Sequence, residues 1–250
     1  MKANELTNQL VDVFRSEGVV RIPKVINESE AERFRQAAMG VLDQMQAEAP
    51  HNYIGRAFHQ KVNIWCQDEI MRELTFHPNL TAVATQLAGT KLRIWHDHIL
   101  AKMPELPIPT AFHQDLVKWP YDRKSMALSA WVALQDTTIE MGCMSFLPGS
   151  HQLMHVRNIA TSDQEGWRKE MPDLQWWPRL VIPLQVGDCT FHHGMTFHTA
   201  GPNQSEQWRV AHVVIFVDVN ATYNGKSHMV TDPLDLQVGT LPPDSICPPI

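Results

Sequence analysis

Cysteine is scarce in this chain, and its four cysteines, Cys66, Cys143, Cys189 and Cys247, stand in no CxxC or similarly close spacing. That excludes a zinc ribbon and a dense disulfide scaffold and leaves free thiols. Charge is thin as well: charged residues make up 19%, against a usual value of about 25%. No Lys/Arg run is longer than a pair, such as Arg123-Lys124, and the formal net charge is -6. Nothing here attracts a phosphate backbone or an anionic lipid surface, so neither nucleic acid nor membrane is an expected partner. No apolar stretch approaches the ~20 residues of a spanning helix. The N-terminal MKANELTNQLVDVFRSEG carries Glu5 and Asp12, which break the apolar core a secretory signal needs. The expectation is a cytoplasmic chain of 250 residues with no linker and no internal repeat, hence a single domain.

Histidine and tryptophan are plentiful by contrast, 13 and 8 residues, with the histidines crowded into 96–113 and 192–212. Before that region the pattern is helical. Leu6, Leu10, Val11, Val13 and Phe14 recur at helical spacing up to Gly18, and Val19–Ile22 reads as a short strand. Asn27 or Ser29 caps a second helix running to about Ala47, and shorter helices are expected at 67–76 and 78–88. After Gly89 the rhythm changes to about eight short apolar runs punctuated by Gly, Pro and Asn, from KLRIWHDHILAK to WRVAHVVIFVDV. Helices first and antiparallel strands afterwards predict an α+β domain with a mainly β core, a sandwich or small barrel inside a helical wrapper. The wrapper is assigned to 1–90, the β core to 91–220 with an insertion at 154–178, and a C-terminal extension to 221–250. That insertion is as well explained by a surface loop as by a lid.

His113-Gln114-Asp115 reads as strand, where residues two apart share a face, so an imidazole and a carboxylate converge without strain. Chance alone supplies about 0.7 such triplets at this composition, and a second feature is needed. His198, in TFHTAG, lies in another short strand 83 residues beyond Asp115. Two histidines and one carboxylate make the facial set that leaves open positions on a non-haem Fe(II) ion. Arg209 follows His198 by eleven residues across the turn-like GPNQSEQ, which places a planar, permanently charged fork beside the metal strand. Such a fork pairs bidentately with a carboxylate and suits the far end of a chelating diacid, 2-oxoglutarate.

On FHQDLVKW at 112–119, MGCMSFLPGSH at 141–151, GDCTFHHGMTFHTAGPNQSEQWRVA at 187–211 and the weaker DHILAKMP at 97–104, the chain resembles the phytanoyl-CoA dioxygenase-like Fe(II)/2-oxoglutarate oxygenases over most of its length. The resemblance implies a double-stranded β-helix, a jelly-roll or cupin-like barrel with the N-terminal helices packed outside. It implies His113, Asp115 and His198 as iron ligands and Arg209 as the cosubstrate anchor, with Trp131 lining the cosubstrate pocket and His98 and Lys102 as further polar contacts. Where the family often has Ser or Thr two residues after the distal histidine, this chain has Ala200, and Thr199 is the nearest hydroxyl. Because Asp115 is present, hydroxylation is expected, with 2-oxoglutarate and O2 consumed and succinate and CO2 released; halogenating relatives replace that carboxylate.

Other side chains carry weaker expectations. Trp119 and Tyr121 follow the metal strand toward the pocket mouth, and Phe58 and Gln60 stand in a loop before the first core strand; all four are candidate substrate contacts. Of His192 and His193 only one can face the pocket, and a structural role is the commoner one. His151 is expected to be structural, and alternation sends His212 to the face opposite Arg209. Two other readings stay open: a zinc-dependent hydrolase or isomerase on the same barrel, which has no use for Arg209, and a non-catalytic relic. The substrate is expected to be a small organic molecule.

Overall fold

The computed structural model describes residues 6–48, 58–153, 159 and 163–250. Two helices open the chain, α1 (Asn8–Glu17) and α2 (Glu28–Glu48), with strand β1 (Val19–Ile22) between them. Gly18 ends α1 in the left-handed region, φ 73°, and donates its N–H to Phe14 O. Asn27, not Ser29, caps α2: its side chain accepts from Glu30 N at 2.9 Å while the Glu30 carboxylate accepts from Asn27 N at 2.8 Å. This reciprocal box satisfies two donors the helix start would otherwise leave bare, worth ~1 kcal/mol. Two shorter helices follow, α3 (Glu69–Thr75), capped by Asp68, and α4 (Pro78–Ala88), closed by Gly89.

The remaining strands are β2 (Phe58–Val62), β3 (Leu92–Lys102), β4 (Thr110–His113), β5 (Ala127–Ala133), β6 (Met144–Phe146), β7 (Leu180–Ile182), β8 (Cys189–His193), β9 (His198–Ala200) and β10 (Arg209–Asp218). They form an antiparallel six-stranded sheet, in the order β1-β8-β5-β10-β3-β2, and a four-stranded sheet, in the order β4-β9-β6-β7. The eight strands from β3 onward match the eight apolar runs of the sequence. The span 58–62 differs from expectation, since it is an edge strand paired to β3 and not a loop. Its FHQKV mixes polar and apolar residues in the way one exposed edge allows. Both β1 and β2 therefore join the large sheet from within the expected wrapper.

Alternation divides the burial. Val210, Val214 and Phe216 of β10 pack with Leu128 and Val132 of β5 against Phe34, Leu42 and Leu80 of the helices. Ala211, Val213 and Ile215 point the other way, into a second cluster with Trp131, Phe146 and Phe197 between the sheets. The result is a helical layer, a large sheet and a small sheet, a jelly-roll arrangement in which the two sheets face each other without hydrogen bonding into one closed barrel. No helix among the described residues is long and apolar enough to cross a membrane.

Two departures from regularity shape the inter-sheet space. In β3 the pairing to β10 jumps from His96↔Ile215 to Ile94↔Phe216, so Trp95 is the extra residue of a bulge and both Trp95 and His96 face inward. Gly142, φ 75°, lies against the turn after β9: a Cβ there would stand 2.3 Å from Gly201 O. Part of the 154–178 insertion falls outside the described residues. Its described part holds a short helix, α5 (Gly166–Glu170), whose Trp167 packs at 5.1 Å on Phe112.

The C-terminal segment runs back along β3, with Ile94 N donating to Pro248 O and Ile250 N to Leu92 O. Arg93, 3% exposed, clamps it. Its guanidinium donates to the carbonyls of Val219, Pro242 and Cys247 and to the Asp244 carboxylate at 2.8–3.2 Å. Removing that hub leaves three carbonyls short of a donor. Arg93→Met is expected to lower unfolding stability by ~3 kcal/mol, read as a urea midpoint shift at unchanged slope. A midpoint unmoved within error would show that the segment is held by other contacts.

Candidate active site

His113 closes β4 and stands directly opposite His198 of β9. The two rings lie 4.2 Å apart between centroids. Asp115 is not in the strand, as strand alternation would have it, but in the turn that follows. There Leu116 N donates to Gly194 O and Lys118 N to Asp115 O, and the chain folds the carboxylate back toward the two imidazoles. One ligand atom from each of the three residues falls within 4.8 Å of the others. His113 Nε2 is 3.4 Å and His198 Nε2 3.7 Å from the same oxygen, Asp115 Oδ1.

The donor set fits a divalent metal. His113 Nδ1 lies 2.8 Å from Ala111 O and His198 Nδ1 2.9 Å from Thr196 O, so each ring spends its proton on a carbonyl two residues back and turns an Nε2 lone pair inward. Burial holds His198 well below the usual imidazole range and hence neutral. Burial disfavours charge on Asp115 too, but the surrounding His198, His113 and His192 outweigh it and hold the carboxyl well below the ordinary range. A neutral His198 and an ionised Asp115 are protonation states that metal binding requires. The second oxygen, Oδ2, accepts from Ser129 Oγ at 3.1 Å and lies 3.5 Å from His192 Nε2, which leaves Oδ1 for the ion.

These groups line a cavity of about 280 Å³ between the sheets. One end of it is a buried pair of cations. Arg209 opens β10 opposite Lys102, the last residue of β3, and both are at most 1% exposed with no carboxylate among their contacts to the described residues. Lys102 Nζ donates to Ala200 O and Gly201 O at 3.2 and 2.7 Å. The Arg209 guanidinium sits 5.5 Å over the Trp131 ring, and its Nε has no hydrogen-bond partner among the described residues. Burial, then Arg209, pushes Lys102 down to about 7, and burial lowers Arg209 to about 10. Two desolvated cations side by side are costly unless an anion joins them.

His98, Trp131, Trp119 and Gln60 line the cavity as the sequence suggested, and Lys102 backs it through the carbonyls of the β9 end. Two assignments are not brought there, and the side chain of a third, Phe58, lies outside the described ones. Thr199 points away from its cavity-lining neighbours His198 and Ala200 and gives its hydroxyl to Thr110 O, because alternation along β9 leaves it on the other face. Tyr121 is buried at 5.1 Å against Trp95, where the bulge has filled the space before it. Phe58 stands opposite Lys102 in register, but its side chain lies outside the described ones.

His212 faces the helices, as alternation requires, where its Nε2 meets Thr75 Oγ1 at 2.9 Å beside the buried Asp97. His151 caps the end of α1 through Arg15 O. His192 is the histidine of its pair that turns inward, against the commoner expectation. Ser129, Thr110, Met144 and the C-terminal His228 and Met229 complete the lining. Of these, Ser129 was readable by alternation from Trp131; His228 has no local signal, since only the path of the C-terminal segment brings it in.

The phytanoyl-CoA dioxygenase (PhyH) family model matches residues 14–211. A probable phytanoyl-CoA dioxygenase of Caenorhabditis elegans is 23% identical over 222 residues, 79% of this chain and 71% of that protein. Phytanoyl-CoA dioxygenase domain-containing protein 1 of Mus musculus is 28% identical over 176 residues, 68% of this chain and 58% of its own. Among solved structures, the non-heme alpha ketoglutarate dependent carbocyclase SnoK from nogalamycin biosynthesis is 32% identical with a TM-score of 0.88, covering 100% of this chain and 98% of that one. The epimerase SnoN, solved with Fe3+, alpha ketoglutarate and nogalamycin RO, is 30% identical with a TM-score of 0.84, covering 96% and 97%. A family model spanning most of the chain and likeness to iron- and 2-oxoglutarate-dependent structures along its whole length agree with the donor set and the cation pair: the chain belongs to the phytanoyl-CoA dioxygenase (PhyH) family, whose enzymes use Fe(II), 2-oxoglutarate and O2.

Proposed function

We propose that the chain couples oxidative decarboxylation of 2-oxoglutarate to oxidation of a C–H bond in a small organic molecule, with hydroxylation as the outcome. The observation that carries this reading is one cavity lined by the His113, Asp115 and His198 donors and by Arg209, with Lys102 buried beside Arg209 and Asp115 the single carboxylate among the described lining residues. A hydrolytic zinc centre needs the first and has no use for the second. His113, Asp115 and His198 hold the iron, Ser129 fixes the unused oxygen of Asp115, and Arg209 with Lys102 receives the distal carboxylate of the diacid. When bound, the iron and cosubstrate supply the oxidising chemistry. The protein's part is to orient and to keep water out, which the 1–2% exposure of Trp131, Lys102 and Arg209 supports.

Ala200 leaves the distal carboxylate without the hydroxyl common in relatives. Thr110 stands opposite it across the β4–β9 pairing and lines the cavity, and supplies the hydroxyl in its place. SnoK is described as a carbocyclase and SnoN as an epimerase. Product mass separates those outcomes from ours: gain of one oxygen marks hydroxylation, loss of two hydrogens marks ring closure or desaturation, and an unchanged mass marks epimerisation.

Succinate release from 2-oxoglutarate in air is expected with Fe(II) and not with Zn(II). Asp115→Ala and His198→Ala are expected to abolish it with the urea midpoint little changed. Arg209→Ala is expected to raise the 2-oxoglutarate requirement about 100-fold, since a bidentate charge-assisted pair is worth roughly 3 kcal/mol. Turnover with Zn(II) alone, or normal succinate yield from all three variants, would contradict the assignment.

Lys102 gives a pH test. In the free protein it loses its proton around 7, and a bound carboxylate stabilises the charged form. Affinity for 2-oxoglutarate is therefore expected to be highest below pH 7 and to fall several-fold between pH 7 and 9, with the slope removed in Lys102→Met. Calorimetric titration in Ni(II)-loaded protein measures it; a wild-type profile as flat as that of the variant would contradict the role of Lys102.

A further inference from the structure

The cavity has a second end, remote from Arg209 and Lys102. His96 lies six residues along β3 from Lys102, about 20 Å at strand rise, farther than a five-carbon diacid reaches. His228 is stacked against it, and Trp119, Lys118 and Met229 are further lining residues of the cavity. His228 and Met229 come from the segment 221–250, which the sequence marks only as an extension.

His228 is held firmly. Its N–H donates to Asp232 Oδ1 at 2.8 Å, Ser227 Oγ donates to Asp232 Oδ2 at 2.6 Å, and the N–H groups of Thr231 and Asp232 return to His228 O at 2.9 Å. The ring lies 4.4 Å from the bulge residue Trp95 and is stacked 5.7 Å from His96, with planes 23° apart. Val230 N donates to His228 Nδ1 at 3.2 Å. That bond fixes the tautomer: Nδ1 is the acceptor, so Nε2 carries the hydrogen and is a donor with no partner within the loop. Behind it, His96 Nε2 is buried with no hydrogen-bond partner among the described residues, a second unsatisfied polar atom at this end.

We propose that His228 is a specificity-determining residue of the substrate site, whose Nε2–H donates to an oxygen of a neutral, hydroxyl-bearing ring compound lying against Trp119. The proposal rests on the reading of this cavity as an oxygenase active site. Flat walls favour a ring: the Trp119 indole and the stacked imidazoles of His96 and His228 enclose this end, with Ile215 and Val62 alongside. Neutrality follows from the wall's own charge. Burial holds His98 and His228 at about 4, so both imidazoles are uncharged at pH 7, and Lys118 is the single cation lining this end among the described residues.

A coenzyme A thioester would bring several phosphates and need several cations. Those lie elsewhere, as Arg123, Lys124 and Lys226 in an open cleft on the far side of Trp119, where the Lys226 ammonium is already taken by Val117 O. His228 thus offers a single directional donor to a neutral oxygen, and its loop, organised before any ligand arrives, loses little freedom on binding.

The test is calorimetry on protein loaded with Ni(II) and 2-oxoglutarate, using 2-naphthol, naphthalene, 2-naphthoate and coenzyme A as probes. Wild-type protein is expected to prefer 2-naphthol to the other three. His228→Phe, which keeps a flat ring without a donor, is expected to weaken 2-naphthol about 5-fold and to leave naphthalene within about twofold, as loss of one hydrogen bond requires. His228→Gln, which keeps a donor, is expected to recover most of the 2-naphthol affinity. Absence of 2-naphthol binding to wild-type protein, equal losses for 2-naphthol and naphthalene in His228→Phe, or tighter binding of 2-naphthoate or coenzyme A would overturn the proposal. Binding of 2-oxoglutarate to the Ni(II) protein is read in a separate titration. If that alone fails, the oxygenase reading falls, and the preference for 2-naphthol is then decided on the bare protein.

Discussion

One strand pairing sets everything else in this site: His113 of β4 opposite His198 of β9, in a sheet whose strands are three or four residues long. Because side chains alternate, a slip of one residue would turn both imidazoles away from the cavity. The register is secured from both sides. Phe146 and Met144 of β6 pair with His198 and Ala200, and Leu147 N donates to Phe197 O. With the rings fixed and each Nδ1 bound to a local carbonyl, the direction of the lone pairs is decided before any metal arrives. Asp115 needs only a turn to complete the set.

Charge is organised as strictly as geometry. The described lining of the cavity carries one carboxylate, Asp115, while Arg209 lines one end with Lys102 buried beside it, and neutral imidazoles with Lys118 line the other. The protein bears the desolvation of two cations where a diacid can repay it. Where an organic substrate would enter, Lys118 is the single cation among the described lining residues. The large sheet makes this separation possible, since one long strand, β3, carries Lys102, His98 and His96 on its inner face and is braced on its outer face by the Asp97–Thr75–His212 cluster.

Much of this was legible in the sequence. Gly18 and Gly89 end their helices where the pattern stops, the eight apolar runs after Gly89 are the eight strands, and His113, Asp115, His198 and Arg209 are brought to one cavity. These features are local or repeat at the period of their element. What was illegible depends on the path of the chain. Asp115 leaves the strand where the next residue, Leu116, bonds through its N–H to Gly194 O, 78 residues away. A bulge at Trp95 breaks the alternation on which face assignments rest, and it fills the place that Tyr121 was given. Residues 58–62 form a strand only because β3 offers an edge. His228 reaches the cavity because Arg93 and the β3 edge hold a segment that carries no periodic signal of its own.

The central claim is that these side chains form one ferrous site that chelates a 2-oxo acid. Anaerobic titration of the protein with Fe(II) and 2-oxoglutarate, followed by visible absorbance, tests it most directly. The account predicts a weak charge-transfer band that appears only when both are present and is absent in Asp115→Ala. A spectrum unchanged by the pair, or a band that survives loss of Asp115, would contradict it.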